Sequence, residues 1–303
     1  MDMAHLNLRG TLRHDEPMAR HVSWRAGGRA ALFYQPSDLE DLRAFLPTVP
    51  GETPILFVGL GSNLLVRDGG FRGAVIFTHH ALTGIGEERA TANALSVRAL
   101  AGVPAPHLAR FAARHGGAGA EWMAGVPGTV GGALAMNAGC YGGETWSHVV
   151  RVETLDRAGE LHVRRPADYE LGYRHVKPLV PVEEWFVAGV FRFERGDTST
   201  SMERMKTLLA RRVASQPLNE PNAGSVFRNP PNDHAARLIE ASGLKGYTVG
   251  GAEVSQKHAN FIVNRGGATA ADIESVIDHV HATVLAKHGV DLVREVRVVG
   301  ERT

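Results

Sequence analysis

Ser225 stands in Gly224-Ser225-Val226-Phe227-Arg228-Asn229-Pro230, a hydroxyl behind a glycine and ahead of two bulky apolar residues. A serine that attacks a carbonyl sits on a G-x-S-x-G elbow, where the second glycine lets the chain turn sharply beneath the nucleophile. Phe227 fills that place here, so the elbow is absent. Taken alone, such a serine otherwise reads as a turn or helix-cap residue. Two glycine-rich stretches suggest different chemistry. Gly59-Leu60-Gly61-Ser62-Asn63 follows the apolar run Ile55–Val58. Without side chains in the way, backbone N–H groups approach a phosphate closely, and Ser62 and Asn63 add side-chain donors. A dinucleotide fingerprint would place a third glycine at Leu64 and a helix after it, whereas Leu64-Leu65-Val66 continues as strand. An ordinary strand-end turn is the competing reading. The second stretch holds Gly125, Gly128, Gly131 and Gly132, with Pro127 among them, then Asn137 and Gly139. Each glycine costs about 0.5–1 kcal/mol in regular structure, and a bound cofactor would supply the packing such a segment lacks. Close backbone packing between subdomains is the alternative.

Charged residues complete the set. Arg174, in Leu171-Gly172-Tyr173-Arg174-His175-Val176, offers a guanidinium fork that never loses its charge. Arg228 lies three residues after Ser225 and could meet a phosphate or a carboxylate. Glu295 falls in Arg294-Glu295-Val296-Arg297-Val298-Val299, where strand alternation puts it on the face of Val293 and Val299. A carboxylate there needs a partner, such as the nearby Arg294 or Arg297, or a task. His79-His80 and His279-x-His281 lack a third ligand at useful spacing, so no metal site is expected.

The elements that must position these residues alternate between strand and helix. Ser37-Asp38-Leu39-Glu40 is a capping-box pattern before a helix through Phe45, and 104–115 reads as a helix ending at Gly116-Gly117. Strand patterns cover 55–59, 73–77, and the runs VVRVETLD, ELHVRR and EWFVAGVFRFE. The polar run 196–201 reads as a linker and domain boundary. Helices then follow over 202–215 and 233–242, and Ile273, Val276, Ile277, Val280 and Val284 give the last helix an apolar stripe ending at Gly289. DLVREVRVVG reads as a closing strand.

Bulk properties bound the function. Lys plus Arg (33) nearly cancels Asp plus Glu (32), which argues against a general nucleic-acid binder. The single cysteine, Cys140, excludes an internal disulfide and fits a reducing cytoplasm. No apolar run approaches roughly 18 residues, and the first twenty residues mix both signs of charge, so neither a membrane span nor a signal peptide is expected.

In the order VGLGSNLLVRD, EWMAGVPGTVGGALAMNAGCYG, LGYRHV, GSVFRNP, GGAEVSQKHANFIVN and REVRVVG, the chain resembles the UDP-N-acetylenolpyruvoylglucosamine reductase (MurB) family over residues 20–300. The resemblance implies an α+β fold. An FAD-binding domain of the vanillyl-alcohol-oxidase (PCMH) type would span 1–196 in two α/β subdomains, 1–78 and 79–196. A C-terminal α+β substrate domain would span 197–295, with 296–303 returning to the first. It implies non-covalent FAD held by Gly59, Gly61, Ser62, Asn63, Leu64, Gly125, Pro127, Gly128, Gly131, Gly132, Asn137 and Gly139, the first loop lying around the pyrophosphate. NADPH is the implied co-substrate, a UDP-sugar enolpyruvyl ether the substrate, and a cytoplasmic monomer the expected form.

The same resemblance assigns roles. Ser225 matches the family's proton donor, Arg174 the arginine facing the substrate carboxylate, and Glu295 a carboxylate beside the intermediate. Arg228 and Asn229 are implied on the substrate. Val176 stands where the family usually has serine, and Arg228 where lysine is common. Two rival classes are an oxygen-reducing flavin oxidase of the same superfamily and a nucleotide-binding module without redox chemistry. Neither accounts for the C-terminal motifs.

Overall fold

The apolar runs at 94–100, 149–156 and 184–195 become the centre of one antiparallel sheet in a computed structural model that describes residues 8–303. Its order is Leu161–Arg164, Val149–Asp156, Glu184–Arg195, Ala94–Leu100 and Ile85–Ala90, with Gly117–Ala118 added beside the end of Glu184–Arg195. Leu95, Val97, Val152, Phe191 and Phe193 bury one face of it under Leu108, Ala112, Val130 and Leu134 of the helices Ala105–Arg114 and Val130–Met136. Apart from this sheet, Ile55–Val58 pairs in parallel with Ala74–Phe77. These elements belong to the first of two compact units, which comprises the described part of Met1–Arg13 with Phe33–Gly59 and Ala74–Arg211.

The second unit is built from His14–Leu32, Leu60–Gly73 and Arg212–Thr303. Its helix Ala270–His288 buries Ile273, Val276, Ile277, Val280 and Val284 as the stripe predicts, in one core with Val254 and Ile262 of the sheet Thr248–Val249, Ala252–Val254, Ile262–Asn264. Thr269 and Asp272 close a reciprocal capping box at its start. The Asp68 carboxylate accepts from the N–H groups of Ala270 (3.0 Å) and Ala271 (2.8 Å), satisfying two more helix donors. Trp24, fully buried, donates its indole N–H to the Ile262 carbonyl, and Asn264 returns a bond to the Trp24 carbonyl. Leu64–Val66 runs parallel to Arg297–Val299.

Four expectations change. The polar run is no linker: a helix spans Thr198–Ser215, with Asp197 accepting from the Thr200 N–H and the buried Ser201 hydroxyl donating to Glu121. Small hydroxyl residues serve a helix's first turn as well as a loop, so composition misleads there. The compact units accordingly do not divide at 196/197. The chain passes from one to the other inside this helix, and the second unit also draws on residues 14–32 and 60–73. The closing strand is confined to Arg297–Val299, with a bend at Val296, so Glu295 lies outside the expected alternation and Val293 is 56% exposed. Finally, Asp38 rather than Ser37 caps Leu39–Phe45, accepting from the Asp41 N–H. Residues 1–7 of the expected first domain lie outside the described residues.

Candidate active site

In the first unit Gly59 meets the second glycine stretch. Gly59 ends the strand Ile55–Val58 so close to Thr129 that any side chain at 59 would overlap the threonine hydroxyl. Thr129 precedes the helix Val130–Met136, is 1% exposed, and its Oγ1 has no hydrogen-bond partner among the described residues. Gly132 beside it is exposed, with only that hydroxyl within 4 Å of where a Cβ would stand. Gly131 is held by its N–H to the Ala101 carbonyl (2.9 Å), and Gly128 accepts from the Ala105 N–H (2.9 Å), while Pro127 is exposed. A buried hydroxyl with no partner, flanked by glycines that leave room above it, fits a phosphate-bearing cofactor. Gly125 packs where a Cβ would meet the Tyr141 ring and the Cys140 Sγ. That thiol donates to the Trp122 carbonyl (3.1 Å).

The helix stops at Asn137, a left-handed residue (φ 41°) with a buried amide. Its Oδ1 accepts from the Trp146 N–H (3.1 Å), and its Nδ2 donates to Glu144 (3.2 Å) and the Gly172 carbonyl (3.0 Å). The Asn137 amide is thus committed to the fold, tying the loop to the hairpin Tyr169–Gly172/His175–Pro178. Arg174 sits at that hairpin's turn with φ 54°. Its guanidinium donates to the carbonyls of Gly139 (2.6 Å) and Asn137 (3.3 Å) and lies over the Tyr173 ring. Val176, in the family's serine position, packs against the core that holds Trp146 and Phe191.

In the second unit Ser225 and Glu295 are brought together through the backbone. The Glu295 N–H donates to the Val226 carbonyl (2.8 Å) and the Arg228 N–H to the Val293 carbonyl (2.8 Å). On the other side, Asn260 holds Phe227: Oδ1 accepts from its N–H (3.0 Å) and Nδ2 donates to its carbonyl (2.8 Å). Asn63 reaches the same place from the first glycine stretch, its amide donating to the Glu295 carbonyl (3.1 Å) and its own carbonyl accepting from Arg297 (3.0 Å). Gly61 takes φ 59° with its carbonyl on the Ser23 N–H (3.1 Å), Ser62 is half-buried, and Leu64 is buried in its strand. The Arg228 Nε is buried without a hydrogen-bond partner among the described residues, and the Asn229 Oδ1 accepts from the Ala235 N–H at the start of the next helix (3.1 Å).

Burial pushes the His258 imidazole down in pKa, so it is neutral beside Asn260, whose N–H donates to its Nδ1 (3.3 Å). His148, under Trp122, is likewise depressed by burial. His281 pairs with Asp291 and His279 stacks on Tyr247; no group of three metal-ligating side chains occurs among the described residues.

Of the expected residues, the first unit therefore gathers Gly59, the second glycine stretch and Arg174. The second unit gathers Asn63, Ser225, Arg228 and Glu295. Sequence reasoning missed Thr129 and Asn260. Thr129 left a signal, a hydroxyl wedged between glycines just ahead of a helix; Asn260 left a fainter one, an amide inside the apolar run Ala259–Val263.

Comparison with known proteins bears on both units. Residues 216–299 match the family model described as UDP-N-acetylenolpyruvoylglucosamine reductase, C-terminal domain, and residues 30–164 match an FAD binding domain. A UDP-N-acetylenolpyruvoylglucosamine reductase of Thiobacillus denitrificans is 58% identical, over 97% of this chain and 94% of that one. One from Alkalilimnicola ehrlichii is 56% identical over 96% of each. The crystal structure of the Thermus caldophilus reductase aligns with a TM-score of 0.77 at 30% identity, over 96% of this chain and 98% of that one. No helix among the described residues is long and apolar enough to cross a membrane.

Proposed function

Because the chain belongs to the UDP-N-acetylenolpyruvoylglucosamine reductase family, FAD-dependent oxidoreductases of peptidoglycan synthesis, we propose that it reduces the enolpyruvyl ether of UDP-N-acetylglucosamine-enolpyruvate to UDP-N-acetylmuramate with NADPH, as a cytoplasmic monomer. FAD, which the two glycine stretches would hold non-covalently, would supply the redox chemistry that carries hydride from NADPH to C3 of the ether. Hydride at C3 leaves carbanion character at C2, conjugated with the carboxylate, so the protein has two tasks: to spread that charge and to protonate C2.

Arg174 takes the first task, its permanently charged fork meeting the carboxylate. Its bonds to the Asn137 and Gly139 carbonyls support this reading, because they hold the cation at the second glycine stretch. Ser225 takes the second. A serine is a weak acid, and it donates only to a strongly basic carbon in a site from which water is excluded. Glu295 stands alongside to orient that donor or to hydrogen-bond the intermediate. The observation that carries the reading is the Glu295 N–H on the Val226 carbonyl, which fixes the two segments to each other. Arg228, with a buried Nε that lacks a partner, suits an anionic part of the substrate, and Asn229 sits beside it at the next helix. FAD is assigned to Gly59, Gly61, Ser62, Leu64, Gly125, Pro127, Gly128, Gly131, Gly132 and Gly139. Asn63 and Asn137 complete that assignment, with their side-chain amides bonded within the fold.

The test is Ser225→Ala followed by stopped flow. Flavin reduction by NADPH is expected to keep its rate, while reoxidation by the enolpyruvyl substrate slows about 10²–10⁴-fold, the usual worth of a positioned acid. Equal slowing of both steps would mean that Ser225 only holds the loop. Acid or heat is expected to release the flavin as FAD; flavin left on the denatured chain overturns the non-covalent assignment.

A further inference from the structure

We propose that Asn260 is the positioning residue for proton delivery, fixing the peptide group of Phe227 and through it the place of Ser225; the proposal rests on the reading of Ser225 as the acid. Residues 226–228 form no regular strand, yet Val226 and Phe227 are buried and their peptide groups need partners. All four polar groups of Val226 and Phe227 are accounted for. The Val226 N–H donates to the Asn260 carbonyl (2.9 Å), and the Val226 carbonyl accepts from Glu295. Phe227 gives its N–H to the Asn260 Oδ1 and takes a bond from the Asn260 Nδ2. One asparagine therefore supplies three of the bonds, its side-chain amide imitating a strand's peptide.

Immediately before this fixed stretch, Gly224 turns left-handed (φ 74°), its N–H on the Asn222 Oδ1 (2.9 Å). Ser225 is the single residue between that turn and the clamp. Its position follows the Val226–Phe227 peptide. Asn260 is 3% exposed among Ala259, Phe261, Ile262 and Val263, all buried and apolar. An apolar side chain would suit that core better, and an amide is tolerated there only because both its ends are bonded. Losing the clamp lets the peptide drift, and a displacement near 1 Å at a reacting group costs about 10²-fold in rate.

The experiment uses the holoenzyme and the conservative Asn260→Asp variant. An ionised carboxylate accepts from the Phe227 N–H but repels the Phe227 carbonyl; a protonated carboxyl restores donor and acceptor together. At pH 8, flavin reduction by NADPH is expected within about twofold of wild type, with reoxidation by the enolpyruvyl substrate about 10²-fold slower. As pH falls and the introduced carboxyl takes a proton, the reoxidation rate relative to wild type should climb back. In the Ser225→Ala background the same substitution should add little, because both act through one hydroxyl.

Equal slowing of both half-reactions, an absence of recovery at low pH, or full slowing on top of Ser225→Ala each overturns the proposal. Asn260→Ala serves as a second variant, and Asn260→Asp carries the test where the alanine fails to fold. Ser225→Ala reoxidised at wild-type speed overturns the reading of Ser225 as acid. A slow Ser225→Ala beside a wild-type Asn260→Asp overturns the role of Asn260 alone.

Discussion

Thr129 buries a hydroxyl that nothing among the described residues satisfies, and in the cofactor-free protein that costs about 1–3 kcal/mol. Thr129→Val is therefore expected to hold or raise the melting temperature of the apoprotein while weakening FAD binding by about 10–100-fold, the worth of one hydrogen bond to a charged group. Calorimetry of the apoprotein and a flavin fluorescence titration read the two effects separately; unchanged FAD affinity would remove Thr129 from the site. At Arg174 the outcome turns on geometry. Arg174→Lys keeps the charge but cannot hold the Gly139 and Asn137 carbonyls while presenting a fork, so turnover should fall steeply with substrate still bound. Near-normal turnover would make the arginine structural. At this scale the sequence names residue types and motifs, and the proposal of Ser225, Arg174 and Glu295 starts from them. It does not reveal which polar atoms the fold uses up. Asn63 reads as a side-chain donor for a ligand and the resemblance adds Asn137, yet both amides donate to backbone carbonyls of the fold, because polar groups withdrawn from water need partners wherever the chain carries them.

The helix Ala270–His288 shows how far an element can be read ahead of its structure. Its stripe, its start at Thr269 and its end at Gly289 all follow from spacing and from the backbone chemistry of capping. Removing one side of the box with Thr269→Ala is expected to cost about 1 kcal/mol, seen as a lower urea midpoint at unchanged slope. The Asp68 carboxylate, which covers two further donors, keeps the loss from being larger. Illegible elements failed for a physical reason. Thr198–Ser201 carries no apolar period, so nothing local separates a capped first turn from a loop. Helix there depends on Ser201 finding Glu121 eighty residues away. The closing strand was overextended because DLVREVRVVG alternates throughout, while the bend at Val296 depends on Val226, a partner distant in sequence.

Acid should weaken the whole molecule in two stages. Burial depresses His148 and His258, and burial with the charges of His80 and His107 depresses His79. Each is neutral when folded, whereas the unfolded chain takes its proton near the ordinary 6.5. Unfolding then binds protons, so stability should be level above that value and fall as pH drops below it. A second loss belongs to Glu274, held down to about 2 by the Arg67 guanidinium and by Arg302. Its contribution is present above the usual 4.5 and fades as pH falls towards 2. Melting temperature against pH checks both stages, and a flat profile from pH 7 to 5 would contradict the first. The pairing of Leu64–Val66 with Arg297–Val299 has a consequence for biosynthesis. Asn63 and Glu295 stand 232 residues apart, so at about 5–20 residues per second the ribosome makes this strand on the order of 10–50 s before its partner exists. Throughout that interval the nascent chain carries Trp24 and Leu65 without the core that later encloses them, which makes it a client for chaperones. Chains stalled short of residue 290 should be cut by protease in 14–32, and full-length chains should be protected there.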